Sequence, residues 1–202
     1  MDLVLFGIQG SGKGTQARRL ASEFGYDIFE AGGELRKIAA LAPRSPKGEE
    51  GSGREDSKIQ LARTVKSYID QGHLVPHEII MQVVKEAIAA RSPDQKILFD
   101  GIPRDLNQMK DFNAIMRDVG RDFRAVHLKL DPEEGLKRIF RRAQAQGRAD
   151  DANEEIVRRR MQTFVEKTMP VIGRYKKEGK VTEIDGMGTE EKVYEQLKKA
   201  LQ

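Results

Sequence analysis

The 202 residues include no cysteine and no tryptophan, and only eight phenylalanines and four tyrosines. Without thiols the chain can form neither a disulfide nor a thiolate-held zinc site, so no zinc is expected. So few aromatics argue against the interleaved basic and aromatic surfaces on which nucleic-acid bases stack. No apolar run is long enough to cross a bilayer, and the first residues lack a signal-peptide pattern. The expectation is a cytoplasmic enzyme with no membrane and no nucleic-acid partner. Charge is plentiful but mixed: 36 Lys and Arg against 32 Asp and Glu, a net of +4. That balance describes a solvated surface rather than a polyanion-binding stripe. With 38% hydrophobic residues, the length suits one α/β core with small insertions.

Directly after the apolar run Leu3–Phe6 comes Gly7-Ile8-Gln9-Gly10-Ser11-Gly12-Lys13-Gly14-Thr15. Glycines let a backbone fold round phosphate oxygens with its N–H groups turned inward. A helix opening near Lys13, with Thr15, Ala17, Leu20 and Ala21 on its apolar side, adds its positive dipole end. Lys13 would reach the terminal phosphates as a point charge. Strand, glycine turn and helix in that order predict a nucleotide-phosphate site.

Five short apolar runs read as strands: Leu3–Phe6, Tyr26–Phe29, Ile97–Phe99, Val126–Leu130 and Val181–Ile184. Helical stripes separate them. One, Ile79, Ile80, Val83, Val84 and Ala87, follows Pro76, which suits a first-turn position. Another, Val157, Met161, Phe164, Val165 and Met169, is expected to bend or end at Pro170. The last is Val193, Leu197 and Leu201. Continuously apolar strands alternating with helices predict a parallel sheet covered on both faces. Ligands of such sheets lie beyond the carboxyl ends of the strands, where Gly7–Thr15 and Asp100 both fall. Two segments interrupt the pattern. Residues 30–75 hold a short helix near Gly33–Leu41, a polar stretch Ala42–Ser57 read as a mobile loop, and a helix with Ile59, Ala62, Val65 and Ile69 ending at Gly72. The second, around Ala143–Ala152, is short, polar and flanked by arginines, as a small lid would be.

A glycine cradle alone leaves GTPases, ATPases, transporters and kinases open. Asp100-Gly101-Ile102-Pro103-Arg104 with Gln108, at the end of the third strand, narrows the choice. Asp100 is placed to orient magnesium through water, and Arg104, on a turn fixed by Pro103, to grip a second phosphate.

GSGKGTQ at Gly10–Gln16, DGIPR with Gln108, and GRADD at Gly147–Asp151 occur together and in that order. By these motifs the chain resembles the adenylate kinase family, within the nucleoside-monophosphate kinases, over essentially its whole length. The resemblance implies a P-loop three-layer α/β/α fold, its five-stranded parallel sheet ordered 2-3-1-4-5. Core segments would be 1–29, 76–140 and 153–202, with a monophosphate-binding insertion at 30–75 and a short lid at 141–152. It implies a monomer that uses Mg²⁺ to interconvert ATP and AMP with two ADP.

Carried over by position, Gly10, Ser11, Gly12, Lys13, Gly14 and Thr15 hold the ATP phosphates. Arg138 and Arg142, four apart on one helical face, enter the lid on the ATP side. Arg148 and Arg160 bridge the two phosphate chains, Asp150 and Asp151 orient those arginines, and the Gly188 carbonyl meets the ATP adenine. Arg36 and Arg104 hold the AMP phosphate, while Gln108 pairs two-fold with the adenine edge. Ala31, His73, Leu74, Val75 and Gly101 close the AMP pocket. Asp100 serves the magnesium. His73, His77 and His127 fall in no catalytic or metal-ligand pattern, and His127 reads as an ordinary strand side chain.

So many cations have a physical reason. Phosphoryl transfer is catalysed by positioning and charge neutralisation. ATP and AMP together bring about six negative charges and Mg²⁺ offsets about two, which leaves about four for Lys13 and the arginines. Guanidinium forks suit this because they bind two oxygens and stay protonated.

Four departures from the family pattern leave the acceptor open. Ala31 replaces a usual threonine, as in UMP/CMP kinases, whereas Gln108 points to adenine. Gly33 replaces an acidic residue, Gln9 replaces a proline, and Ala42–Ser57 is long, with Lys47 or Arg54 able to fold over the acceptor. The rival readings are a UMP/CMP kinase, a nucleotide-binding protein without catalysis, and a basic nucleic-acid-binding domain.

Overall fold

A computed structural model describes residues 1–43, 57–146 and 153–201. β1 (Asp2–Phe6) is buried along its whole length. Because side chains alternate across a strand, Leu3 and Leu5 fall in one core cluster, and Val4 and Phe6 in the other. A strand apolar on both faces needs helices on both sides, and the chain supplies them.

α1 (Lys13–Phe24) follows β1 and packs Ala17 and Leu20 against Leu3 and Leu5. β2 (Asp27–Glu30) runs straight into α2 (Ala31–Ala39), and α3 (Ser57–Asp70) lies on α2. α4 (His77–Ala89) leads to β3 (Ile97–Asp100), which is followed by α5 (Leu106–Asp118) and β4 (Phe123–Lys129). α6 (Pro132–Gln146) precedes α7 (Glu154–Thr163) in the described chain. α7 passes through a π-helical turn, Phe164–Thr168, into α8 (Met169–Lys177). β5 (Val181–Asp185) and α9 (Glu190–Leu201) complete the order.

The sheet is all parallel with strand order 2-3-1-4-5, the order implied by the family resemblance. α4, α5 and α8 cover one face over Phe29, Phe99, Phe112, Phe123 and Tyr175; α1 and α9 cover the other. The rings Phe99, Phe112, Phe123 and Tyr175 follow one another edge-to-face at centroid spacings of 5.0, 5.3 and 5.4 Å. A third cluster, Ile8, Leu136, Ile139, Val157 and Met161, joins α6 and α7 to the phosphate loop. Neighbouring strands β1 and β3 send their following helices to opposite faces, which opens a crevice at their carboxyl ends.

Several expectations shift in detail. β4 begins at Phe123, not Val126, because exposed Arg124 interrupts the apolar run while the backbone already pairs with β1. β2 spans Asp27–Glu30 rather than Tyr26–Phe29, and the helix expected near Gly33–Leu41 starts at Ala31. Pro76 stands before the first turn of α4, as its cap. Gln16, not Thr15 or Ala21, is buried on α1, where its amide Nε2 donates to the Glu190 carbonyl at 3.0 Å. Pro170 does not end its helix. It cannot donate an N–H, and its ring would strike the carbonyl four residues back. The backbone avoids that conflict with the π-turn, in which the Met169 N–H reaches the Phe164 carbonyl. Of the stretch 42–57, residues 44–56 lie outside the described residues, as do Lys47 and Arg54. Among the described residues no helix is long and apolar enough to cross a membrane.

At the amino ends of the strands, Asp2 forms a bidentate pair with Arg121 at 2.7 and 2.8 Å and accepts the Ile97 N–H at 2.8 Å. Both side chains are buried, so removing one partner leaves an uncompensated charge. Asp2→Ala is expected to lower unfolding free energy by about 3–5 kcal/mol in urea titrations. Turnover of the folded protein should stay unchanged, since the pair lies at the end of the sheet opposite the crevice.

Candidate active site

The loop after β1 is shaped by two glycines with left-handed backbone, Gly10 (φ 82°) and Gly12 (φ 87°). Gly12 caps α1 without any side-chain hydrogen bond, and the first turn carries no acidic residue. Its N–H groups and positive dipole end are therefore left for an anion. Lys13 Nζ donates to the carbonyls of Gly7 at 2.6 Å and Ile8 at 3.2 Å, which closes the loop on itself. Gly7 has no room for a side chain, because a Cβ there would overlap the buried Ser11 hydroxyl. Burial pulls the Lys13 ammonium below its usual pKa, opposed by the nearby Asp100 carboxylate. Asp100, at the end of β3, is pushed the other way by burial and drawn back by Lys13.

The turn after β3 is held by three hydrogen bonds on Arg104. Its N–H donates to Gln108 Oε1 at 2.8 Å, its Nε to the Gly101 carbonyl at 2.7 Å, and its own carbonyl accepts from Thr168 Oγ1 at 2.9 Å. Asp105 caps α5 by accepting the Gln108 N–H at 2.8 Å. Burial lowers the Arg104 pKa, with Asp100 opposing. A guanidinium held in a desolvated wall is strained electrostatically until an anion meets it.

These elements wall a cleft of about 320 Å³. On one side are Gly10, Gly12, Lys13, Gly14 and Thr15. Arg36, His73, Val75, Asp100, Gly101 and Arg104 line it too, and Arg142 and Arg160 come from α6 and α7. Arg160 Nη2 lies 3.4 Å from the Ile69 carbonyl at the end of α3. A roomier groove of about 740 Å³ between α5 and α8 contains none of these groups.

Other expected residues lie elsewhere. Ser11 is buried in the loop, its hydroxyl without a hydrogen-bond partner. Leu74 lines a small adjoining cavity of about 60 Å³. Ala31 is packed in the core, and Gly188 lies in the turn after β5 against Lys192. Arg138 is held by Glu134 Oε1 at 2.8 Å and the Gly186 carbonyl at 3.0 Å, so it ties α6 to that turn. Arg148, Asp150 and Asp151 lie outside the described residues.

Gln108 is 2% exposed and does not line the cleft, and its Oε1 accepts the Arg104 N–H at 2.8 Å. An amide oxygen has two lone pairs, so this bond leaves Gln108 one acceptor position as well as its Nε2 donors.

The structure also brings in residues that sequence reasoning passed over. Glu30, at the carboxyl end of β2, lines the cleft and pairs with Arg36 at 2.7 Å. A Cβ at Gly33 would lie 3.3 Å from the Glu30 carboxylate, so the acid of position 30 fills the space beside residue 33. An acidic residue at a strand's carboxyl end was the available signal. Gly135 of α6 supports the loop: a Cβ on Gly10 would sit 2.5 Å from the Gly135 carbonyl oxygen. No sequence signal marks that contact.

His77 pairs with Asp111 at 2.7 Å, bridging α4 and α5, and does not line the cleft. His127 is buried on β4, with Nδ1 unpartnered and Glu183 3.7 Å away, beyond hydrogen-bond reach. Burial holds its pKa below 6.5. The unfolded chain therefore binds a proton there before the folded one does. Stability contributed by neutral His127 is full above about pH 6.5 and falls as pH drops from there toward the folded pKa. His127→Gln should flatten that part of the acid limb in urea midpoints measured against pH.

The crevice joins an uncapped helix start and a lysine to a set of guanidinium groups, geometry suited to two phosphate chains. Over residues 5–180 the chain matches the family model described as adenylate kinase. An adenylate kinase of Thermus thermophilus is 37% identical over 200 residues, covering 98% of this chain and 96% of that protein. One of Bacteroides fragilis is 35% identical over 203 residues, covering 100% and 98%. One of Maricaulis maris is 32% identical over 203 residues, covering 100% and 99%. The chain belongs to the adenylate kinase family. It is accordingly a nucleoside-monophosphate kinase, a phosphotransferase, and the reading of a nucleotide-binding protein without catalysis falls away. In the adenylate kinase fold seen here, Lys13 opens α1 after β1, Asp100 ends β3, Arg104 lies on the turn that follows, and Arg142 and Arg160 stand on α6 and α7.

Proposed function

We propose that this cleft transfers the γ-phosphoryl group of ATP to the phosphate of AMP, reversibly, to give two ADP. An AMP phosphate oxygen attacks the γ-phosphorus and the bond to the β,γ-bridging oxygen breaks, so the electron pair leaves with ADP. The attacking group is already anionic and needs no general base. One observation carries the reading: among the described residues, six basic side chains line one cleft with two carboxylates, Glu30 and Asp100. A wall net positive by about four matches the charge left by two nucleotides after a divalent cation is counted.

In this reading the loop N–H groups from Gly10 to Thr15 and Lys13 hold the ATP phosphates. Arg36 and Arg104 hold the AMP phosphate. Arg142 joins the loop and Lys13 on the ATP side, and Arg148 and Arg160 bridge the two phosphate chains, with Asp150 and Asp151 orienting those arginines. Gln108 meets the acceptor base through its amide, with an Nε2 donor and the second lone pair of Oε1. Residues 30–75 form the acceptor-binding unit and 141–152 the lid, which together exclude water, the competing acceptor.

The donor set suits magnesium. Among the described residues no group of three or more acidic or histidine side chains could cage a metal. Asp100, buried and lining the cleft, would orient the ion through water, and the Thr15 hydroxyl would offer it a hard oxygen. Mg²⁺ supplies charge neutralisation on the transferring phosphates. Coupled measurement of ADP from ATP with AMP, UMP, CMP or GMP tests the reading. AMP should be turned over at least about tenfold better than the others by kcat/KM. Preference for UMP or CMP would overturn the assignment of the acceptor.

A further inference from the structure

Thr168 has no role in the reaction as described above, yet it is 5% exposed beside the cleft and bonded to one of its arginines. It closes the π-turn Phe164–Thr168, and its Oγ1 donates to the Arg104 carbonyl at 2.9 Å. With Arg104, Arg160, Lys13 and Phe164 it also lines the small cavity at the base of the cleft.

The π-turn decides which way Thr168 points. Eight residues separate it from Arg160, a rotation of about 80° round an unbroken α-helix at about 100° per residue. A π-turn takes up one extra residue, so the separation counts as about seven and the two side chains fall within about 20° of each other. Arg160 and Thr168 thus face the same side of one helical column. Without the π-turn the two side chains would diverge by about 80°.

We infer that Thr168 is a positioning residue for phosphoryl transfer, tying the Arg104 turn to the helix that carries Arg160 so that the two guanidinium groups keep a fixed spacing. The inference rests on the reading that Arg104 holds the acceptor phosphate. Removing the hydroxyl takes this donor from the part-buried Arg104 carbonyl and loosens the turn, and a misplacement of about 1 Å is enough to degrade transfer geometry.

The test compares steady-state kinetics of Thr168→Val, Thr168→Ser, Arg104→Lys and the Thr168→Val/Arg104→Lys double variant, with thermal melts of each. Thr168→Val should lower kcat/KM for AMP about tenfold with KM for ATP changed less than about twofold, and Thr168→Ser should restore it. With Arg104→Lys already present, Thr168→Val should cost less than about twofold more. A full tenfold loss in both backgrounds, or no rescue by serine, would make Thr168 merely structural and overturn the inference. If Arg104→Lys is costly and Thr168→Val is not, this inference alone fails. If Arg104→Lys costs nothing, the reading of Arg104 fails and takes this inference with it.

Discussion

Gly10→Ala is expected to lose about 3 kcal/mol of stability and at least about 10²-fold in turnover, far more than the equivalent change at Gly12 or Gly14. Two costs combine at Gly10. Its φ of 82° penalises any L side chain by about 1–2 kcal/mol. Its Cβ would also lie 2.5 Å from the Gly135 oxygen, so two backbones must separate. Gly12, at φ 87°, has nothing within 4 Å of where a Cβ would sit and should pay only the conformational cost. Gly14 has ordinary φ and meets only the tip of Arg18, at 3.6 Å. Alanine there should leave stability unchanged or raise it by up to about 1 kcal/mol through helix propensity. Urea titrations of the three variants give the order directly. Equal losses at all three would show that the contact between loop and α6 does not govern the site.

Arg104→Ala should lower kcat by about 10²–10³, the loss usual for one preorganised donor. Stability should hold or rise slightly. Burial depresses the Arg104 pKa, which means that the folded, ligand-free protein already bears a cost for keeping that charge. Removing the guanidinium relieves the cost and sacrifices one side-chain bond, Nε to the Gly101 carbonyl. A falling turnover beside a steady melting temperature is the signature of a group kept for the transition state rather than the fold. Near-normal turnover would show that Arg104 does not touch the reacting phosphates.

Much of this is legible in the sequence because a parallel sheet covered on both faces writes its strands as unbroken apolar runs. The apolar pattern marks β1 and β3 nearly to the residue, and the order of the sheet comes with the family motifs. β4 reads short because exposed Arg124 sits in a stretch that backbone pairing, not hydrophobicity, makes into strand. α6 carries a short stripe, Leu136, Ile139 and Phe140 at i, i+3 and i+4, set among charged residues that outnumber it. In the site, Lys13, Asp100 and Arg104 are readable because each sits beside a strand end that fixes its place. The further bond of Gln108, from the Arg104 backbone N–H within the same turn, is not readable from the motif. Glu30 is marked only by its place at a strand's carboxyl end, whereas Gly135 and Thr168 act through contacts with residues distant in the chain, which leave no mark in local pattern.

The Glu30 carboxylate already grips the Arg36 guanidinium. Any anion reaching that fork must therefore evict a tethered one, and what a titration measures is the difference between the two. Half-exposed pairs of this kind are held by about 1 kcal/mol or less, so the obstacle is low. It still discriminates. A tethered carboxylate acts at a high effective concentration, which chloride or a free monocarboxylate cannot match with a single charge. A phosphate dianion, with twice the charge and a third oxygen, can.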